Sequence, residues 1–452
     1  MNSNPSRFID DHKLISMKNS KAKFSSLHFL TLLILLFNSV SLLAQETQAL
    51  MLNVEENKVP PYSLPELLLS ANGKKITNSK DWKTIRRPEI IQLFTKEMYG
   101  FAPKKHPKMK FMLLESSDNA LQGIAKRKQI RVLFNGKSDG PFMDILIYLP
   151  KQTNGPVPLI TGLNFQGNHA VIADESIPLS QNWIPKKGVG VVNNHATEAS
   201  RGVYSFAWPI EKMLKRGYGV ATMYAGDIDP DFDDGFKNGI HALYPHLQKR
   251  QDNFSTIAAW AWGLSRAMDY FETDKAINAK QVVLTGFSRM GKAALWAGAL
   301  DERFAIVISN ESGKGGAALM KRQFGENVKK LNTIYPHWFN HRFKQYSDNE
   351  QNLPFDQHML LALIAPRPLY IGSAADDDNA DPKGEFLSLK AAEPVYQLYG
   401  IKGINSTTQP PINQPQYGTT GYHIRDGGHS MTEFDWNQYL DFSDKNLNRK
   451  ND

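Results

Sequence analysis

The segment Gly286-Phe287-Ser288-Arg289-Met290-Gly291-Lys292 sets a hydroxyl between two glycines, after the apolar run Val282-Val283-Leu284-Thr285 and before an alanine-rich stretch over 293–299. A strand that turns sharply through a serine into a helix is the context of a nucleophile elbow. Small neighbours let backbone approach the strained turn, and the helix N-terminus offers free N–H groups to a developing oxyanion. The second glycine stands three residues after Ser288, where the common pattern has it two after. The plain alternative is a helix that merely begins at a serine. A nucleophilic serine needs a base, and in this kind of fold the triad runs serine, acid, histidine along the chain. His429, in Arg425-Asp426-Gly427-Gly428-His429-Ser430 ahead of a C-terminal helical stretch, stands where the base belongs, with His423 as its competitor six residues earlier. Two acids qualify. Glu311 ends the strand after the elbow helix, and Asp377 follows the apolar run ending at Ser373, the usual place of the acid. Both are candidates to face His429, and residue type alone leaves the choice open. Cysteine is absent, which removes thiol nucleophiles, thiolate metal sites and disulfides.

These groups need a scaffold. From Val157 onward, short apolar runs at 158–163, 219–224, 282–285, 304–309 and 368–373 alternate with helical stretches. That pattern predicts buried parallel strands with helices on both faces, a three-layer αβα sandwich with loop insertions. Upstream, 111–115, 129–134 and 144–149 read as strands joined by turns, an antiparallel edge to the same sheet. Residues 82–99 carry Ile85, Ile90, Leu93 and Phe94 at helical spacing, stopped by Gly100. Trp260 and Trp262, in a helical run ending near Asp269, are expected in the core. The expected organisation is a leader over 1–44, an extended N-terminal arm over 45–80, one α/β catalytic domain over 81–446 and a polar tail over 447–452.

Composition agrees. The chain has 452 residues, 41% hydrophobic and 22% charged, close to ordinary globular usage. Residues 29–37 form a short apolar run preceded by lysines and followed by Val40-Ser41-Leu42-Leu43-Ala44, the layout of a secretory signal peptide with cleavage after Ala44. Met17 is an alternative start. The run is short for a membrane span, which needs about 20 residues. A periplasmic or secreted protein is therefore expected. The net charge is +8, and the first 27 residues hold five cations against two carboxylates. The modest remaining excess suits an acidic polysaccharide, whereas no basic run or zinc-finger pattern supports nucleic acid. Ser312 to Gly316 fails the spacing of a phosphate loop, and Asp377, Asn379 and Asp381 fail that of a calcium loop because Pro382 holds the glycine position. No metal or cofactor is expected.

Beyond the elbow, the blocks Glu311-Ser312-Gly313-Lys314-Gly315-Gly316, Leu353-Pro354-Phe355-Asp356-Gln357-His358, Ala362-Leu363-Ile364-Ala365-Pro366-Arg367 and Gly428-His429 follow in order. Together with Gly162-Leu163-Asn164-Phe165-Gln166-Gly167-Asn168-His169, they resemble the 4-O-methyl-glucuronoyl methylesterases of carbohydrate esterase family 15, in its bacterial branch. The resemblance spans roughly residues 82–445. It implies an α/β-hydrolase that cleaves esters between xylan glucuronic acid and lignin alcohols. It also implies Ser288 as nucleophile, His429 as base and Arg289 as an oxyanion contact, with Lys292 and Glu326 on the sugar. Glu311 matches the acid of many members and Asp377 the alternative acid of bacterial ones; the completeness of the Glu311 block favours Glu311. Asn379 departs from the pattern, which has a tryptophan there. The implied partner is a glucuronoxylan or lignin-carbohydrate ester, bound by a monomer. An acetyl or other carbohydrate esterase, or a non-catalytic hydrolase homologue that binds acidic glycan, would share the scaffold.

Overall fold

A computed structural model of the chain describes residues 52–105 and 108–449, so the expected leader lies outside the described residues, as do 45–51 and 450–452. Alternation along the strands decides the layers. In β3 (Phe142–Pro150), Ile145, Ile147 and Leu149 enter one apolar cluster, while Leu146 and Tyr148 enter another on the opposite face. The elbow strand repeats this, with Val282 and Leu284 on the first face and Val283 on the second. Strands apolar on both faces must be covered on both faces.

The main sheet comprises β1 (Lys110–Ala120), β2 (Ala125–Leu133), β3, β4 (Val157–Asn164), β5 (Gly219–Tyr224), β6 (Ile277–Phe287), β7 (Ile306–Asn310), β8 (Leu369–Ala374), β9 (Gln416–Tyr417) and β10 (Thr420–Arg425). Its order is β1-β2-β3-β5-β4-β6-β7-β8-β10-β9. The pairs from β5 through β10 are parallel, and β1, β2 and β3 form the expected antiparallel edge, joined to β5. The fold is an α/β-hydrolase. The principal helices are α1 (Arg87–Phe94), α2 (Ile210–Lys215), α3 (Thr256–Phe271), α4 (Arg289–Leu300), α5 (Gln357–Ala362), α6 (Pro382–Gln397) and α7 (Glu433–Asn446). Residues of α2 and α7 pack on the second face, and those of the other five on the first. Trp260 and Trp262 are core residues, as expected. Gly298 of α4 has no room for a side chain, because a Cβ there would lie 2.6 Å from Val307 of β7. The elbow helix therefore presses directly onto the sheet.

Helix α1 is flanked by π-wound turns, Trp82–Arg86 and Thr95–Tyr99, so the segment predicted over 82–99 is helical throughout, and it begins at Ser79. Residues 52–78 run beside the domain. Asn53 accepts at its carbonyl from Gly325 N–H (2.8 Å), and Glu56 pairs with Arg322 and Lys383. Among the described residues no helix is long and apolar enough to cross a membrane.

Candidate active site

Ser288 ends β6 and opens α4 with φ 56° and ψ −131°, a backbone region that non-glycine residues avoid. The strain is held by packing. A Cβ on Gly286 would lie 2.2 Å from the Met290 carbonyl oxygen, and one on Gly291 would lie 2.9 Å from Ser309 Oγ. Those two contacts explain the glycine spacing: here the residue that must clear β7 is three after the serine. Ser288 N–H donates to the Asn310 carbonyl (2.9 Å), tying the elbow to the end of β7. At the head of α4 the Arg289 and Met290 N–H groups precede the first intrahelical bonds, whereas Gly291 and Lys292 N–H both donate to the Ser288 carbonyl (2.8 and 3.3 Å).

All seven residues singled out from the sequence line one cavity of about 320 Å³, together with Tyr335, Trp338 and Asn379. His429 Nδ1 lies 2.6 Å from Asp377 Oδ2 and 3.1 Å from Glu311 Oε2. Burial disfavours the imidazolium, but the two carboxylates outweigh it and raise the pKa to about 9. The side chain is 43% exposed and lines the cavity. The two acids are brought in separately. Asp377 follows β8, where Asp376 N–H donates to the Gly427 carbonyl (3.0 Å) and couples its turn to the histidine loop. Glu311 follows β7 with φ 46° and is fully buried. Burial pushes its carboxyl up, opposed by His429 and Arg425. Donor atoms of Glu311, Asp377 and His429 also lie within 4.8 Å of one another, close enough to share a cation; a proton on Nδ1 between two carboxylates meets the same electrostatic need.

His423, the competing histidine, sits inside β10 between Asp435 Oδ1 (2.8 Å) and the Tyr370 hydroxyl (3.1 Å), fully buried. It is walled off from the cavity. Its neighbour Arg425 was not foreseen as a site residue. The buried guanidinium donates to Glu311 Oε1 (2.5 Å), to the carbonyls of Gly428 (2.9 Å) and Ser430 (2.6 Å), and to Asp435 (2.9 Å). One cation thus binds an acid and both sides of the loop that carries His429.

Lys292 and Glu326 line the same cavity. Lys292 is 4% exposed, and its Nζ donates to the carbonyls of Ser312 (2.5 Å) and Lys314 (2.8 Å), 5.7 Å from the Trp338 ring centre. Burial lowers its pKa, and Glu326, Glu385 and Asp377 oppose that. Glu326 N–H donates to the Asn379 carbonyl (3.0 Å), which places the Glu326 and Asn379 loops side by side. The Arg289 guanidinium forms an ion pair with Asp231 (2.6 Å) and lies over the Phe165 ring (4.6 Å). Asp231 also accepts from the Trp338 indole (2.8 Å) and meets His337 (3.0 Å). Burial would raise this carboxyl, yet the Arg289 cation and those contacts hold it below the usual range. Asp231, His337 and Trp338 were missed in the sequence. The one available signal was the run of acids in Asp227-Ile228-Asp229-Pro230-Asp231 after the apolar stretch 219–224.

A strained serine at the head of a helix, with an imidazole that two carboxylates hold in the same cavity, stands on a fold of the α/β-hydrolase class. Residues 210–400 match the family model described as "Glucuronyl esterase, fungi". A carbohydrate esterase, MZ0003, from an unknown prokaryotic organism is 48% identical over 87% of this chain and 92% of its own. The solved structure of a promiscuous CE15 esterase from a marine bacterial metagenome shares 48% identity with a TM-score of 0.83, covering 88% of this chain and 100% of that one. The glucuronoyl esterase from Solibacter usitatus gives 46%, a TM-score of 0.82, and coverages of 86% and 99%. The chain belongs to carbohydrate esterase family 15, the glucuronoyl esterases, and is a carboxylic ester hydrolase.

Proposed function

We propose that this protein is an exported serine esterase that hydrolyses esters between the (4-O-methyl)glucuronic acid of xylan and lignin alcohols. The carrying observation is that Ser288, His429 and its two carboxylates share a cavity with Lys292 and Glu326, groups suited to hydroxyls of a uronate ring. Ser288 Oγ attacks the ester carbonyl carbon and its proton passes to His429 Nε2. The oxyanion is met by the free N–H groups of α4 and by Arg289. Nδ1–H, directed at Asp377 and Glu311, stabilises the imidazolium. The proton then returns to the departing alcohol oxygen, leaving a glucuronoyl-serine ester. Water, deprotonated by the same nitrogen, cleaves that ester, releases glucuronate and restores Ser288. The basic leader with its apolar run over 29–37 supports export.

Hydrolysis rates on benzyl glucuronate and on acetylated xylan test this reading. Turnover of the uronate ester well above that of the acetyl ester is expected. The reverse order would make the protein an acetyl esterase, and no turnover of either would make it a binding homologue. Arg289→Ala should lower kcat by about 10² to 10³, the worth of one oxyanion donor, with a smaller change in KM. A change confined to KM would make Arg289 a ground-state contact.

A further inference from the structure

On either side of Asp231, Pro230 and Phe232 line a second cleft of about 580 Å³. Consecutive Cα atoms are about 3.8 Å apart, so the segment that holds Arg289 is also the wall of this cleft. Phe232 and Trp183 line it with ring centres 4.6 Å apart and planes at 45°, and Phe142 lies at its other end under the Arg131 guanidinium (3.6 Å). Trp183 and Phe232 both line the cleft and are both half-buried. Among the described residues the Trp183 indole N–H, the Asn238 carboxamide and the Lys237 ammonium have no protein partner, and Lys237 and Asn238 are exposed on the cleft rim.

The walls are built. The Tyr224 hydroxyl donates to the Trp183 carbonyl (2.7 Å), and Asn182 Nδ2 donates to buried Asp227 (2.7 Å). On the other side the Trp260 indole donates to the Asp229 carbonyl (2.9 Å), and the Thr256 hydroxyl to the Asp229 carboxylate (2.6 Å). Half-exposed aromatic faces beside unpaired N–H groups suit a ligand with an apolar C–H face and a rim of hydroxyls, which is a pyranose ring. An aromatic alcohol would use the rings but leave the amide and ammonium groups of the rim unmatched.

We propose that this cleft is a subsite for a neutral sugar of the polysaccharide chain that carries the scissile uronate ester, with Trp183 and Phe232 as the ring platform. The proposal rests on the glucuronoyl esterase reading above, and the test keeps the two apart. Kinetics of the parent and of Trp183→Ala are measured on benzyl glucuronate and on a benzyl ester of glucuronic acid borne by a xylo-oligosaccharide. The variant should raise KM for the oligosaccharide ester about three- to tenfold, the worth of one aromatic contact, and leave the small ester within twofold. Unchanged small-ester kinetics also certify the fold. Should Trp183→Ala fail to fold, Asn238→Ala on the exposed rim serves, with the same selective KM increase expected. Equal effects on both esters, no effect on either, or an effect that follows the alcohol and ignores the glycan would each overturn the subsite. A parent that hydrolyses neither uronate ester would instead remove the functional reading itself.

Discussion

Ser288→Ala is expected to reduce kcat on benzyl glucuronate by on the order of 10⁶ while the protein stays folded. The chemical half follows from the proposed mechanism: without Oγ there is no atom to form the glucuronoyl-enzyme, and only binding and the oxyanion donors remain. The structural half follows from the elbow itself. The Ser288 side chain makes no cap hydrogen bond to α4. Its φ of 56° strains alanine about as much as serine, since both carry a Cβ. What fixes the turn is the close approach at Gly286 and Gly291 and the backbone bond to Asn310, none of which uses the hydroxyl. Thermal unfolding should therefore match the parent. Activity within tenfold of the parent would remove the serine mechanism.

The second large effect concerns the acids. Loss of a sole triad carboxylate costs about 10⁴ in kcat, because the histidine tautomer and the imidazolium both lose their partner. Here Nδ1 faces two carboxylates, so Asp377→Ala and Glu311→Ala should each cost less than that, and the double variant should lose far more than the product of the singles. The resemblance favoured Glu311, but the geometry points the other way. Asp377 is nearer at 2.6 Å, whereas Glu311, at 3.1 Å, also serves Arg425 and the Ser430 N–H (2.9 Å). Asp377→Ala is therefore expected to be the slower single variant, and Glu311→Ala the less stable one on heating. A pH profile gives a second readout. The neutral imidazole is the active form, so kcat/KM should rise through a pKa of about 9 in the parent. Removing either carboxylate disfavours the imidazolium, and the limb should move to lower pH. Multiplicative single effects, with one variant silent, would show that a single acid serves.

The strand, the elbow and the loop that carries His429 were legible because each is written in contiguous residues. The apolar run in 282–285, glycines flanking Ser288 and the Gly427-Gly428 pair before His429 act through local sterics and burial, which a linear pattern records. The order serine, acid, histidine was equally readable, since parallel strands present their C-terminal ends on one side of a sheet. Choosing between Glu311 and Asp377 was not, because both follow such ends, of the adjacent strands β7 and β8.

Tertiary structure decided the rest. His423 and His429 differ little in sequence context, yet one points into the interior of β10 and the other into the cavity. Arg425 became a clamp only when β10 carried it beside Glu311, 114 residues earlier, and Asp231 became the partner of Arg289 only when its loop folded against the elbow. Lys292, read as a sugar contact, is also a buried support for the Ser312 and Lys314 carbonyls. By itself the sequence determined which groups could react and in what chain order. Their distances, and hence the pKa of His429 and the larger effect expected of Asp377→Ala, depend on Coulomb and hydrogen-bond energies that change over an ångström, and only long-range packing sets separations that fine.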